Sequence, residues 1–138
     1  MHFGRLIKTL NTAIERDINR QLAKFDLTGT QGIIIGFLRH NQDKEICQKN
    51  LEQEFALSHP TMSSILTRME NKGLIGTAPL PKDKRYKKVF LTEKGLALDK
   101  EIANSIDIFE EKMCTGLSEE QQIQIKSYLN LLIKNITD

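Results

Sequence analysis

The stretch Leu57-Ser-His-Pro-Thr-Met-Ser-Ser-Ile-Leu-Thr-Arg-Met-Glu-Asn-Lys-Gly73 constrains this chain more than any other. It carries a start and a stop for one helix. Ser58 offers a hydroxyl that accepts from a free N–H of the first turn. Pro60 follows where a missing N–H costs little, and Gly73 can take the left-handed conformation that ends many helices. Between them Met62, Ile65, Leu66 and Met69 recur at i, i+3, i+4 and i+7, a single apolar stripe. At about 100° per residue, the opposite face carries Pro60, Ser64, Thr67 and Asn71, flanked by Thr61, Ser63 and Arg68. Surface helices ordinarily present Glu and Lys there. Short hydroxyls instead let a helix approach phosphates and base edges closely, and an arginine adds charge or a bidentate contact. Taken alone, the same face is equally compatible with solvated Ser and Thr that weaken the helix slightly.

The neighbouring segments decide between these readings. Gln48-Lys-Asn-Leu-Glu-Gln-Glu-Phe55 is a short helical segment with Leu51 and Phe55 at i, i+4, joined through Ala56-Leu57-Ser58 to the longer helix. Two short helices so joined form a helix-turn-helix outline, whose second helix enters the major groove. After Gly73, Leu74-Ile75 and Lys88-Val-Phe-Leu91 predict a hairpin, with Val89 and Leu91 on one side and Lys88 and Phe90 on the other. The segment Pro79-Leu-Pro-Lys-Asp-Lys-Arg-Tyr-Lys-Lys88 between them holds five cations and one acid in ten residues. A basic hairpin directly after a recognition helix is a wing, whose charge reaches phosphates or the minor groove. A solubilising loop would not require the order helix, turn, helix, hairpin.

From about Leu27 to Gly95 the chain resembles the winged-helix core of the MarR family of bacterial transcription regulators. The matching pieces are Leu27-Thr28-x-x-Gln31, Gln48-x-x-Leu51, Leu57-Ser-x-Pro-Thr61, Glu70-x-x-Gly73-Leu74, Asp83-x-Arg85 and Leu91-Thr92-x-x-Gly95. Each is weak alone; six in the right order and spacing are specific. One position departs, because Cys47 replaces the hydroxyl usual before the matching Gln48. The flanking helices fit the family's dimerisation scaffold, so the resemblance spans nearly the whole chain. It implies a mainly α fold with a small β-hairpin wing, a winged helix-turn-helix core flanked by N- and C-terminal dimerisation helices. Within one domain over residues 1–138, residues 27–96 form the DNA-binding core, and 1–26 and 97–138 the dimerisation helices. It further implies a repressor that binds a pseudo-palindromic operator as a homodimer and is released by a small, often aromatic, ligand.

Size and composition agree. A chain of 138 residues fits one domain. With a net charge of +2, nucleic-acid affinity must come from the distribution of charge. The wing supplies it, whereas Glu101, Glu110, Glu111, Glu119 and Glu120 make the C-terminal third more acidic. Two cysteines provide no disulfide framework. Ile33-Ile-Ile-Gly-Phe-Leu38 is far too short to span a membrane, and Met1-His-Phe-Gly-Arg5 has no secretory apolar core. A soluble, cytoplasmic protein is expected.

Phe3, Leu6, Ile7, Leu10, Ala13, Ile14, Ile18, Leu22 and Phe25 predict a long amphipathic N-terminal helix. Leu117-Ser118-x-x-Gln121 reads as a capping box before a stripe of Ile125, Leu129, Leu132, Ile133 and Ile136. Thr92 caps another helix with Leu98, Ile102, Ile106, Phe109 and Met113 on its inner face, and Cys114 beside Met113 reads as structural. Surplus apolar stripes of this kind point to a two-fold dimer; termini folded onto their own core are the alternative. Thr28-Gly-Thr-Gln31 opens a helix through Arg39, apolar nearly all round and therefore buried, a floor for the recognition helix. Glu45-Ile46 suggests a short third strand.

The residues expected at DNA are Ser58, His59, Pro60, Thr61, Ser63, Ser64 and Thr67 in the groove, with Lys84, Arg85 and Lys87 from the wing. Lys82 and Lys88 add non-specific, salt-sensitive affinity. Arg68 either contacts phosphate or pairs with Asp83, and Asp83 orients a cation within the wing. A dimer would present two copies of the helix to successive major grooves about 34 Å apart. His2, His40 and His59 are scattered without carboxylates at ligand spacing, so no metal or other cofactor is expected. Cys47 falls at a helix N-cap, where thiols can become reactive, which leaves a redox-sensing regulator as one alternative. A winged-helix protein-interaction module is the other. Enzymatic chemistry lacks a convergent set, since Ser64 and His59 have no third orienting member.

Overall fold

Helix boundaries fall where short-range chemistry puts them. Residues 2–137 are described by the computed structural model. They form α1 (Phe3–Ala23), α2 (Gly29–His40), α3 (Gln48–Phe55), α4 (His59–Asn71), β1 (Ile75–Pro79), β2 (Lys87–Leu91), α5 (Glu93–Met113) and α6 (Glu119–Ile136). Thr28 Oγ1 accepts from the Gln31 N–H at 3.2 Å while Gln31 Oε1 accepts from the Thr28 N–H at 3.1 Å, the reciprocal capping box. Ser118 and Gln121 repeat it before α6, at 3.1 and 2.9 Å. Gly73, with φ of +75°, turns the chain out of α4.

The chain divides after Asn104 into two compact units, the boundary falling inside α5. The first unit contains the expected winged helix. Its core joins Ile34, Ile35 and Leu38 of α2, Leu51 of α3, and Met62, Leu66 and Met69 of α4 to Leu74, Ile75, Val89 and Ile102. The apolar stripe of α4 is therefore the buried side, and the hydroxyl face looks outward. The hairpin is a two-stranded antiparallel sheet running from Ile75 opposite Leu91 to Pro79 opposite Lys87. Side chains alternate along β2 as expected, with Val89 buried and Phe90 exposed.

The wing is fastened to the end of α4 by the last family-like motif. Thr92 Oγ1 donates to the Gly73 carbonyl at 2.6 Å and accepts from the Gly95 N–H at 3.1 Å. A Cβ at Gly95 would overlap the carbonyl oxygen of Leu74. Thus Gly73-Leu74 and Thr92-x-x-Gly95, separate in sequence, are one joint. The same end of α4 is tethered by Lys72, whose ammonium donates to the Asp26 carbonyl, and by Lys94 Nζ, which donates to the Lys72 carbonyl at 2.8 Å.

Several expectations need correction. Glu45-Ile46 is not a strand: the Val89 N–H donates to the Ile46 carbonyl at 2.7 Å, and pairing is confined to an isolated Cys47–Lys88 bridge. The apolar surround of α2 is broken at Ile33, which is 57% exposed. Its buried residues Ile34, Ile35 and Leu38 share one core with Met62, Leu66 and Met69 of the recognition helix. α1 stops at Ala23, because Asp26 takes a φ of +57° and turns the chain. On α5, Ile102 is buried, the single chain leaves Ile106 and Met113 exposed as it does the apolar faces of α1 and α6, and Cys114 lies just past the helix. Asp99, five residues before the end of the first unit, is buried, which the sequence pattern does not announce. It receives Arg39 Nε of α2 on Oδ2 at 2.7 Å.

Single-chain burial leaves two helices short of partners. Phe3, Leu6, Ile7 and Leu10 of α1 are all exposed, and α6 buries no residue. No helix of the described residues is long and apolar enough to cross a membrane.

Candidate nucleic-acid interface

The N-terminus of α4 is built from side chains bonded to each other. Ser58 Oγ accepts from the Thr61 N–H at 3.3 Å and donates to Thr61 Oγ1 at 2.9 Å, so cap and first-turn hydroxyl form one unit. Pro60 sits inside the first turn, as its fixed φ favours. Ser58, His59, Pro60, Thr61, Ser64, Thr67 and Arg68 are exposed, and Ser63 is half-buried. Arg68 does not pair with Asp83; among the described residues it makes no ion pair.

The wing supplies the cations. Lys84, Arg85 and Lys87 are exposed. Asp83 Oδ1 accepts from Arg85 Nε at 3.0 Å and Oδ2 from Nη2 at 2.7 Å, with the Arg85 N–H a further donor at 3.1 Å. These bonds, first the side-chain pair and then the backbone donor, hold the Asp83 carboxyl below its ordinary value. Asp83 therefore orients a cation within the wing, as its charge predicts. The Arg85 guanidinium also lies 5.8 Å from the centre of the Tyr86 ring.

Recognition helix and wing enclose an open cleft of about 600 Å³. His59, Ser63 and Thr67 of α4, Arg85 and Lys87 of the wing, and Cys47 all line it, whereas Ser58, Pro60, Thr61, Ser64, Arg68 and Lys84 lie outside. Cys47 stands at the N-cap position of α3, and its thiol donates to Asn50 Oδ1 at 3.1 Å, the oxygen that also accepts the Cys47 N–H at 2.8 Å.

Sequence reasoning missed the α3 side of this cleft. Gln48 and Glu52, one turn apart, both reach His59: Glu52 Oε2 lies 2.9 Å from Nδ1, and Gln48 Nε2 lies 3.1 Å from it. Gln48 Nε2 also lies 3.4 Å from both Ser63 Oγ and the His59 carbonyl. Helical periodicity cannot reveal contacts between two helices. The i, i+4 spacing of Gln48 and Glu52 was the one available signal.

The MarR family model matches residues 25–85. The HTH-type transcriptional repressor IacR of Pseudomonas putida is 27% identical over 121 residues, which cover 88% of this chain and 71% of that protein. Among solved structures, the transcription regulator MarR from Oenococcus oeni is 34% identical, with 96% of this chain and 99% of that one aligned at a TM-score of 0.72. The Staphylococcus aureus MepR–DNA complex is 26% identical over 99% of both chains, with a TM-score of 0.84. MepR in its DNA-binding conformation aligns at 0.80 over 99% of this chain, with 26% identity.

Proposed function

The chain belongs to the MarR family of transcription regulators, and from that membership we propose that it is a repressor that reads a pseudo-palindromic operator as a homodimer. The observation that carries this reading is the cleft in which Ser63 and Thr67 of α4 meet Arg85 and Lys87 of the wing, with Ser58, Thr61 and Ser64 exposed along the same helix. A relative of the same fold is solved with DNA, and another relative is a repressor. Ser58, His59, Pro60, Thr61, Ser63, Ser64 and Thr67 enter the major groove. Arg68, Lys84, Arg85 and Lys87 meet phosphates or the flanking minor groove.

Residues 27–96 are the reader, and residues 1–26 and 97–138 form the two-fold interface. The exposed apolar faces of α1 and α6 support that division, because faces of this size need cover. Release by a small aromatic effector completes the proposal. A pocket of about 390 Å³ supports it, walled by Phe25, Leu74 and Leu98 and edged by Lys72 and Lys94 at the end of α4. A ligand there would bear on the joint that holds the recognition helix.

Selection of bound duplexes from a random library, followed by affinities against salt, tests the proposal. An inverted repeat with half-sites about one helical turn apart is the expected result. Salt-sensitive binding with no enriched motif would overturn it in favour of a protein-interaction module.

A further inference from the structure

His59 is gripped from one side only. Its Nδ1 lies 2.9 Å from Glu52 Oε2 and 3.1 Å from Gln48 Nε2, while its side chain as a whole is 73% exposed. The two contacts at Nδ1 are incompatible, since a carboxylate needs Nδ1 to carry a proton and an amide N–H needs it bare. The carboxylate bond is the shorter, is charge-assisted, and involves a Glu52 side chain only 19% exposed. Gln48 Nε2 has other acceptors, Ser63 Oγ and the His59 carbonyl, each at 3.4 Å. Glu52 Oε2 therefore accepts the hydrogen bond from Nδ1–H, and Gln48 turns to Ser63. An unconstrained imidazole favours the opposite tautomer, with its proton on Nε2.

We propose that Glu52 is a positioning residue that fixes His59 in the Nδ1–H tautomer, so that Nε2 is presented to the major groove as an acceptor reading an exocyclic amine. In that groove only the N4 amine of cytosine and the N6 amine of adenine are donors, whereas guanine and thymine edges offer acceptors or a methyl group. His59 lies at the first position of the recognition helix, where base edges are met. The inference rests on the operator-reading function proposed above and adds the chemistry of one contact to it.

The test uses the full-length protein and the operator obtained by selection. At each half-site position, adenine is replaced by purine or cytosine by 2-pyrimidinone, each lacking only the exocyclic amine. One position per half-site is expected to lose about five- to tenfold in affinity with the wild type, the worth of one hydrogen bond. The His59→Ala protein should lose nothing at that position beyond the cost of altered pairing, and whether the sensitive base is adenine or cytosine identifies the amine. Parallel responses of wild type and His59→Ala at every position would overturn the proposal while leaving the operator-reading function intact. Failure to select any operator would overturn both. Imidazole nitrogen NMR of the free wild type reads the tautomer without a variant, and a proton on Nε2 instead of Nδ1 would also overturn it. Glu52→Gln should move the population toward the Nε2–H form at unchanged thermal stability; an unmoved tautomer would remove Glu52 from the mechanism.

Discussion

Asp83 holds Arg85 of its own wing by both carboxylate oxygens, at 3.0 and 2.7 Å, although Arg85 is 82% exposed. An ion pair so open to water contributes little stability. Its consequence is geometric, because the guanidinium is ordered before DNA arrives. Arg85→Ala is expected to weaken operator and unrelated duplex alike, by about tenfold at low salt, and to lower the slope of log affinity against log salt by about one. Sedimentation should find its association state unchanged. Asp83→Ala should cost only a few-fold in affinity, through the added cost of ordering a free arginine.

The same pair makes a pH prediction. Asp83 has a carboxyl held below its ordinary value by Arg85. The sign follows from linkage: a lowered folded value contributes stability above the unfolded value, lost as pH falls through the folded one. At so exposed a site the readable quantity is the titration itself. Carboxyl NMR should place the Asp83 midpoint below that of an unpaired aspartate, and Arg85→Ala should return it toward the ordinary range. An Asp83 midpoint indifferent to Arg85 would contradict the pairing.

Gly95 packs without a Cβ against the Leu74 carbonyl, which is backbone and has little room to yield. Gly95→Ala should therefore destabilise the protein by about 1–3 kcal/mol, the usual range for overpacking. Urea denaturation measures it. Any helix-propensity gain from alanine, about 1 kcal/mol, acts in the opposite direction and is smaller than the clash. The wing should loosen with the joint, visible as faster amide exchange at Val89.

What was legible in the sequence was what local rules specify. Ser58, Gly73, the Thr28–Gln31 and Ser118–Gln121 boxes and the stripe Met62–Ile65–Leu66–Met69 depend on spacings within one element, and the winged helix follows from their order. The outward face of α4 was legible for the same reason. The rest lay between elements. Nothing in the spacing of Arg39 and Asp99 announces an ion pair, and Gln48, Glu52 and His59 meet only once α3 and α4 are packed together. The apparent strand at Glu45-Ile46 failed because one bridge to β2 is all that the start of α3 leaves room for. Ile33 misled because an apolar residue beside a buried run looks buried whatever direction it faces.

Cys47 occupies a cap where a hydroxyl is the better acceptor, and its hydrogen bond to Asn50 Oδ1 requires the thiol proton. Cys47→Ser should keep operator affinity and raise stability by a few tenths of a kcal/mol, or about 0.5 at most. Peroxide should then affect the affinities of wild type and variant equally. A loss confined to the wild type would instead make Cys47 the sensor.

Arg39 and Asp99 join α2 to the first turns of α5, with the Asp99 side chain 8% exposed and Arg39 42% exposed. Removing one partner of a fully buried pair costs about 3–5 kcal/mol; the exposure of Arg39 reduces the expectation for Arg39→Ala to roughly 2. Burial raises the Asp99 carboxyl above its ordinary value, against the opposing pull of Arg39 and then His40. A raised folded value means that its contribution is fully present below the unfolded value and is lost as pH rises through the folded one. Arg39→Ala removes the larger opposing charge and pushes the folded value higher still. The deficit of the variant should therefore be smaller at about pH 4, toward the protonated form of Asp99, than at about pH 7. Asp99→Asn keeps an acceptor for Arg39 without a buried charge and should cost less than Arg39→Ala at neutral pH. Urea unfolding of the three proteins at both pH values gives the comparison. A deficit that is constant with pH, or larger in acid, would show that packing of the arginine stem rather than charge joins the two helices.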